Sequence, residues 1–214
     1  FIGLHTVKHL VNKGYEVRIF DAFLSPPHRS QGTYNPQHYP YIRDCGVEVY
    51  VGDSTRIEDL KGAMANVDYI INLASKVGIG QSMYEPREYT HHNTMGIATL
   101  WDLIIKEDYD IKGIVQASTM SIYGEGRYIC DNCGDVYPSR REFKRALMTH
   151  RGRRGWGPLC PICHGDRIRP AATRETDAIN PTSIYALSKY YQECMTIMLG
   201  KTYGLNTCRL RYFN

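Results

Sequence analysis

The segment Ser183-Ile184-Tyr185-Ala186-Leu187-Ser188-Lys189 carries a tyrosine and a lysine four positions apart. On a helix that spacing puts both side chains on one face. A free tyrosine titrates near a pKa of about 10, and an ammonium beside it favours the phenolate, so the pair suits proton transfer near neutrality. Tyrosine and lysine at this spacing are also common on ordinary amphipathic helices, and the surroundings decide between the two readings. Upstream, the hydroxyl-rich run Ser118-Thr119-Met120-Ser121-Ile122-Tyr123-Gly124 follows an apolar strand pattern at Gly113 to Ala117. Its hydroxyls are expected outside the carboxyl end of a sheet, where open α/β folds bind ligands.

A different chemistry lies between these two runs. Cys130-Asp131-Asn132-Cys133-Gly134 and Cys160-Pro161-Ile162-Cys163-His164-Gly165 are two Cys-x-x-Cys turns separated by 26 residues. Paired turns of this kind suit tetrahedral thiolate coordination, and the glycine that follows each pair eases a tight turn. We expect zinc on Cys130, Cys133, Cys160 and Cys163, with a redox dithiol or iron as alternatives. His164 stands beside an already complete ligand set. Four protein ligands leave no open position, so such an ion is structural. The other cysteines, Cys45, Cys194 and Cys208, read as small buried thiols.

The elements that must position these groups follow from hydrophobic periodicity. Helices are expected over Leu4 to Asn12, Ile57 to Met64, Arg87 to Lys106 and Ser183 to about Leu199. Strands are expected over Val17 to Phe20, ending in Asp21, and over Val47 to Val51, Tyr69 to Leu73, Gly113 to Ala117 and Asn206 to Tyr212. The continuous apolar character of Tyr69 to Leu73 fits burial on both faces. Short strands alternating with helices imply right-handed crossovers and a doubly wound parallel sheet of the Rossmann kind. The alternation breaks between Gly124 and Glu175. We therefore expect an α/β domain over residues 1–124 and 175–214 and an inserted zinc-ribbon-like minidomain, built on the zinc knuckles, over 125–174. The chain opens at Phe1 directly into a helix, and is expected to be truncated at both ends.

In such a sheet a dinucleotide's pyrophosphate rests on the first helix's N-terminus, where free N–H groups and the helix dipole favour anions. Gly3 is the glycine present there. Asp21, ending the next strand, can accept hydrogen bonds from both hydroxyls of an adenosine ribose and repels a 2′-phosphate, favouring NAD over NADP. An ordinary turn aspartate is the other reading.

Several segments together resemble the extended short-chain dehydrogenases/reductases of the NAD-dependent epimerase/dehydratase family. Phe1-Ile2-Gly3 resembles the end of that family's glycine fingerprint, whose last glycine permits close helix-to-strand packing. Asp53 resembles the adenine-contacting aspartate of a Gly-Asp pair. Asn72-Leu73-Ala74-Ser75 resembles the His-Leu-Ala-Ala segment whose backbone passes along the cofactor, and Asn93 with Gly96 resembles an Asn-x-x-Gly helix segment. Glu175 and Asn180-Pro181-Thr182-Ser183 resemble the approach to the family's Tyr-x-x-x-Lys. The resemblance implies bound NAD contacted by Gly3, Asp21, Asp53, Ala74, Ser75, Asn93, Tyr185 and Lys189, a nucleotide-sugar substrate, and a homodimer of the full-length protein. It implies that Thr119 is the family's catalytic Ser or Thr, Tyr185 the proton-transferring residue, and Lys189 the group that tunes Tyr185 and holds the nicotinamide ribose. In the related dehydratases and decarboxylases, acidic residues follow the Thr119 position. Met120 and Ser121 stand here instead, and neither is a carboxylate acid or base. That favours a nucleotide-sugar 4-epimerase acting through a transient keto sugar over a dehydratase or dehydrogenase. The Tyr123-Gly124-Glu125-Gly126-Arg127-Tyr128 run and the knuckle after it resemble a subgroup of epimerases similar to dTDP-L-rhamnose 4-epimerase.

Composition bounds the rest. The net charge of +4 is uneven, since residues 126–174 hold 11 Lys or Arg against 4 Asp or Glu. The basic stretch Arg140 to Arg154 also resembles part of a nucleic-acid-binding zinc finger. A nucleic-acid-binding or regulatory protein on the same fold is the competing reading, disfavoured by intact Thr119, Tyr185 and Lys189. No run of about 18 apolar residues is present and the start does not read as a secretion signal, so a cytoplasmic protein without a membrane partner is expected.

Overall fold

A computed structural model describes residues 1–23, 42, 44, 46–107, 109–139 and 157–213. The basic stretch from Arg140 to Arg154 and most of the loop expected after Asp21 lie outside the described residues.

Helix α1 (Ile2–Asn12) is followed by Gly14 at φ +83°, a left-handed turn that glycine adopts without steric cost. Strand β1 (Arg18–Asp21) then pairs in parallel with β2 (Glu48–Val51), Arg18 opposite Glu48 and Asp21 opposite Val51. Helix α2 (Ile57–Met64) leads to β3 (Tyr69–Asn72), and β3, β4 (Gly113–Thr119) and β8 (Asn206–Tyr212) form a parallel sheet in the order β3-β4-β8. Strands and helices alternate as expected for a Rossmann-like α/β fold. The single sheet of the sequence reading is instead two parallel sheets among the described residues, because no described strand hydrogen-bonds to both β1 and β3.

Strand β3 differs from expectation in burial. Side chains alternate across a strand, and Ile70 packs on the core while Tyr69 and Ile71 are exposed. The core itself forms where Leu60 and Met64 of α2 meet Ile114 of β4 and Ile97, Leu100, Trp101 and Leu103 of helix α5 (Gly96–Lys106). The helix expected over Arg87 to Lys106 is not regular. It comprises α4 (Pro86–Thr90), a π-helical turn at His91–Met95 and then α5, preceded by a one-turn helix, α3 (Ile79–Ser82), that periodicity did not suggest. Gly96 lets this run close on its neighbour, since a Cβ there would lie 2.6 Å from Ser54 Oγ.

Helix α6 (Ile184–Tyr203) starts at Ser183, whose hydroxyl accepts the Ala186 N–H at 3.1 Å, a side-chain cap for one of the helix's unpaired donors. It runs one turn past Leu199. Gly200 does not end it; that residue instead gives β8 room, because a Cβ there would collide with Thr207. The stop is Gly204, in the left-handed conformation at φ +68°.

Between β4 and α6 lies a small antiparallel sheet, β6-β5-β7, of β5 (Tyr128–Cys130), β6 (Gly134–Val136) and β7 (Ile168–Pro170). Its buried residues are Cys130, Val136 and Cys160. Two of the spare cysteines are not the buried thiols expected: Cys208 is exposed on β8 and Cys194 is half-buried, while Cys45 lies outside the described residues.

Candidate active site

Thr119 is the last residue of β4, one or two residues later than the strand pattern suggested, and it pairs with Tyr212 of β8. Its hydroxyl accepts the Ser121 N–H at 3.2 Å and so caps the short 3-10 turn Met120–Tyr123. The chain then turns at Gly124, where φ is +65° and a Cβ would lie 2.5 Å from the Asn180 carbonyl oxygen. Only glycine fits there. That close crossing, with the Asn180 N–H donating to Ile122 O at 2.8 Å, lays the segment entering α6 against the end of β4. Arg211 tightens the same junction by donating to Glu175 O at 2.9 Å and to the Tyr123 hydroxyl, and by pairing with buried Glu193 of α6 at 2.5 Å.

The result brings Tyr185 near Thr119, whose hydroxyl donates to Ser121 Oγ at 3.2 Å. Burial raises the Tyr185 pKa and the nearby Thr119 hydroxyl opposes that rise. Lys189, one turn on, is 2% exposed, and burial lowers its pKa to about 8. Lys189 Nζ donates to Gln192 Oε1 at 2.6 Å.

The sequence reading missed Gln192 and Gln116 of β4 and took Asn72 of β3 only as part of its Asn-Leu-Ala-Ser segment; the three hydrogen-bond in a row beneath α6. Nothing in an apolar-periodicity reading marks them, because a polar residue inside a sheet-to-helix contact looks like a surface residue. The one available signal was parity: Gln116 lies two residues from Ser118, on the same face of β4.

Of the eight residues singled out for a cofactor, four stand at carboxyl ends of parallel strands. Asp21 closes β1 with an exposed side chain whose Oδ1 accepts the Phe23 N–H at 2.8 Å, which is also the turn-forming arrangement. Asp53 follows β2. Burial acts to raise its pKa, but the Thr55 N–H and hydroxyl, both at 2.9 Å, and nearby His92 and His91 hold it below the usual value. Ala74 and Ser75 follow β3, with the Ala74 N–H donating to Asn72 Oδ1 at 3.2 Å. Gly3 lies within α1, where a Cβ would meet Leu73 at 3.7 Å, an ordinary contact rather than the tight approach the resemblance implied.

Asn93 is fully buried in the π turn, and its carboxamide is spent on the protein. It accepts from the Lys76 N–H at 2.7 Å and donates to Lys76 O at 3.1 Å and Ser188 Oγ at 2.9 Å. A π turn often marks a functional site. Here it fastens the loop after β3 to the helix that carries Tyr185, and His92 beside it approaches Asp53 at 4.0 Å.

The four cysteines of the antiparallel sheet converge. Their Sγ atoms all lie within 4.8 Å of one another, and sulfur ligands about 2.3 Å from a tetrahedral ion would sit roughly 3.8 Å apart. The Cys163 N–H donates to Cys160 Sγ at 3.4 Å, and the turn closes through the His164 N–H to Cys160 O at 3.0 Å. Gly134 takes positive φ after the first pair, but after the second pair His164 does so, at φ +57°. Burial acts to raise the Cys160 thiol; the Cys163 and Ile162 N–H groups and the neighbouring thiols outweigh it and lower the pKa to about 6. Cys133 is pushed up to about 12, by burial first and then by the other three sulfurs. Four crowded thiols resist ionising together without a cation among them.

An ion-paired cluster joins this sheet to the approach of α6. Buried Asp177 accepts from Arg174 Nε at 2.8 Å and the Tyr137 hydroxyl at 2.9 Å and lies 3.6 Å from Arg127, while Asp135 of β6 pairs with Arg127 at 3.0 Å and Arg174 at 2.9 Å. No described helix is long and apolar enough to cross a membrane.

Comparison with known proteins gives the same fold. The family described as the NAD dependent epimerase/dehydratase family matches residues 1–146. A bifunctional UDP-glucose 4-epimerase and UDP-xylose 4-epimerase of Arabidopsis thaliana is 27% identical over 159 residues, which is 72% of this chain and 41% of that protein. A dTDP-L-rhamnose 4-epimerase of Burkholderia thailandensis is 30% identical over 126 residues, 59% of this chain and 32% of its own length. The chain thus spans less than half the length of these curated relatives. Among solved structures, UDP-glucose 4-epimerase of Thermus thermophilus in complex with NAD superposes with a TM-score of 0.65 at 22% identity, covering 99% of this chain and 51% of that one.

Proposed function

Because the chain belongs to the NAD dependent epimerase/dehydratase family, we propose that the protein of which it is part is an NAD-dependent nucleotide-sugar 4-epimerase. The observation that carries this reading is the Thr119 hydroxyl, at the carboxyl end of β4, near the Tyr185 phenol, with Lys189 buried one turn further along α6. Epimerases acting on UDP-sugars and dTDP-L-rhamnose among the relatives support the substrate class.

NAD fits the hydrogen-bonding groups present: exposed Asp21 with one carboxylate oxygen beyond its Phe23 bond, the Asp53 carboxylate, and the backbone at Ala74 and Ser75. When bound, it supplies the acceptor and return donor of a hydride. Tyr185 takes the proton from the sugar's C4 hydroxyl as that carbon becomes a ketone and, once the keto sugar has rotated and been reduced on its opposite face, returns the proton to the same oxygen. Thr119 holds the sugar oxygen by a hydrogen bond throughout. Lys189 would hold the nicotinamide ribose, and Asn93 acts by fixing the loop after β3 rather than by direct contact. No carboxylate follows Thr119, since Met120 and Ser121 occupy those places, which favours epimerisation over dehydration.

The cysteine cluster is read as a structural zinc site on Cys130, Cys133, Cys160 and Cys163, within an inserted unit over residues 125–174. Its sulfur spacing and the N–H bond to Cys160 suit that ion. A homodimer is proposed on the exposed stripe Leu187, Tyr191 and Met198, which recurs at helical spacing along α6.

In the full-length protein, Tyr185→Phe should lower conversion at carbon 4, followed by NMR over a set of nucleotide sugars, by at least about a hundredfold. NAD should remain bound. Turnover at the wild-type rate would overturn the assignment.

A further inference from the structure

Between α6 and the sheet runs a buried row of amides. The Ala74 N–H donates to Asn72 Oδ1 at 3.2 Å, Asn72 Nδ2 to Gln116 Oε1 at 2.9 Å, and Gln116 Nε2 to Gln192 Oε1 at 3.0 Å. Lys189 Nζ reaches the same oxygen at 2.6 Å. Gln116, Gln192 and Lys189 are at most 2% exposed. The other end of Gln192 is anchored too, since its Nε2 donates to Asn93 O, in the π turn, at 2.8 Å.

Two features distinguish this row from incidental packing. First, every donor in it points toward Gln192 Oε1. Hydrogen bonds arranged head to tail polarise one another, and Gln192 Nε2, by donating to Asn93 O at 2.8 Å, makes its own Oε1 a stronger acceptor than that of an isolated amide. Second, the group it serves is a buried ammonium. Among the described residues the buried carboxylate nearest in sequence on α6, Glu193, is already engaged by Arg209 at 3.1 Å and Arg211 at 2.5 Å. A cation removed from water needs an oxygen to replace its lost hydration, and Gln192 provides one without a counter-charge.

We propose that Gln192, oriented by Gln116 and Asn72, is a positioning residue that fixes the Lys189 ammonium beneath the Tyr185 site. This rests on the reading of Tyr185 and Lys189 as the catalytic pair. The consequence is a route from the loop after β3, where the cofactor is proposed to lie, to the catalytic lysine. It runs through three uncharged side chains and leaves the full charge of Lys189 available to the site. A carboxylate in the same place would neutralise it.

The test uses the full-length protein with NAD bound. Gln192→Met keeps length and volume and removes the oxygen; it should lower kcat about tenfold or more, since small misplacement of a reacting group has large kinetic cost. KM for the nucleotide sugar and the melting midpoint should change little. Gln192→Glu restores an oxygen and should turn over faster than the methionine variant and release NAD no faster than wild type. Two results would overturn the proposal: kcat for Gln192→Met within about twofold of wild type, or equal kinetic losses in both variants that track equal losses of melting midpoint. Should Gln192→Met fail to fold, Gln192→Asn withdraws the oxygen by one methylene. An unchanged kcat in that variant overturns the proposal in the same way. Failure of the underlying assignment reads out separately, as retained turnover by Tyr185→Phe.

Discussion

The parallel sheets and the small antiparallel sheet are held together by different means. The parallel region buries carbon: Leu60, Met64, Ile97, Leu100, Trp101, Leu103, Ile111 and Ile114 form one cluster between helices and sheet. The antiparallel region buries sulfur, with Val136 the one fully buried aliphatic side chain in the cluster with Cys130 and Cys160, and Ile168 half-buried against it. Apolar burial is diffuse, so each residue contributes an increment and the loss of one is survivable. A cluster of four thiols is indivisible. Without a cation its members repel ionisation in each other, and with one it is a single bond network. The lesson is that a segment too small for an apolar core can still be rigid enough to sit against an active site if a metal replaces the core.

Breaking the sulfur side should give the largest effect. Cys160→Ser, or prolonged chelation of the wild type, is expected to remove bound zinc completely and to open residues 125–174 to proteolysis. The melting of the parallel region should shift far less. Metal analysis and limited proteolysis check this; retention of one zinc per chain in the variant would contradict the contrast. On the carbon side, Leu100→Ala should cost about 3 kcal/mol by denaturant unfolding while zinc content stays unchanged. Parallel loss of both would mean that the two regions melt as one.

The smallest of the three effects concerns the cluster joining them. Burial acts to raise the Asp177 carboxyl, but the Arg174 N–H and guanidinium and the Tyr137 hydroxyl prevail and hold its pKa below the ordinary value. A carboxylate lowered on folding stabilises the protein above its unfolded pKa, and that contribution is lost as pH falls through the folded one. Asp177→Asn should therefore lower the melting midpoint by about 2–4 °C near neutrality. Below the usual aspartate range the two melting curves should converge. A difference independent of pH would assign the residue a packing role instead.

Much of this architecture was readable before any coordinates. Ile57–Met64 and Asn206–Tyr212 carry their periodicity to the ends, and the convergence of four sulfurs followed from the spacing of the two turns. The errors have physical sources. The helix expected to end near Leu199 runs on to Tyr203, because a glycine inside a helix can serve a close crossing, as Gly200 does against Thr207. The apolar run of β3 suggested burial on both faces, yet periodicity reports what a residue prefers and not whether a neighbour covers it. At the site, Thr119 and Tyr185 were legible because their segments carry local patterns. Asn72, Gln116 and Gln192 were not, because their meaning lies in distances between elements far apart in sequence.

The π turn at His91–Met95 holds one residue more than a regular helix of the same height. An α-helix turns by about 100° per residue, so the extra residue sets the two halves of the 86–106 run about a quarter turn out of phase. Tyr89, before the slip, reaches Val77 O at 2.8 Å in the loop after β3; Ile97, Leu100 and Trp101, after it, face the carbon core. The rod behaves like a crankshaft with two throws. A chain one residue shorter here would have a single throw, and would have to choose between its core and the loop after β3.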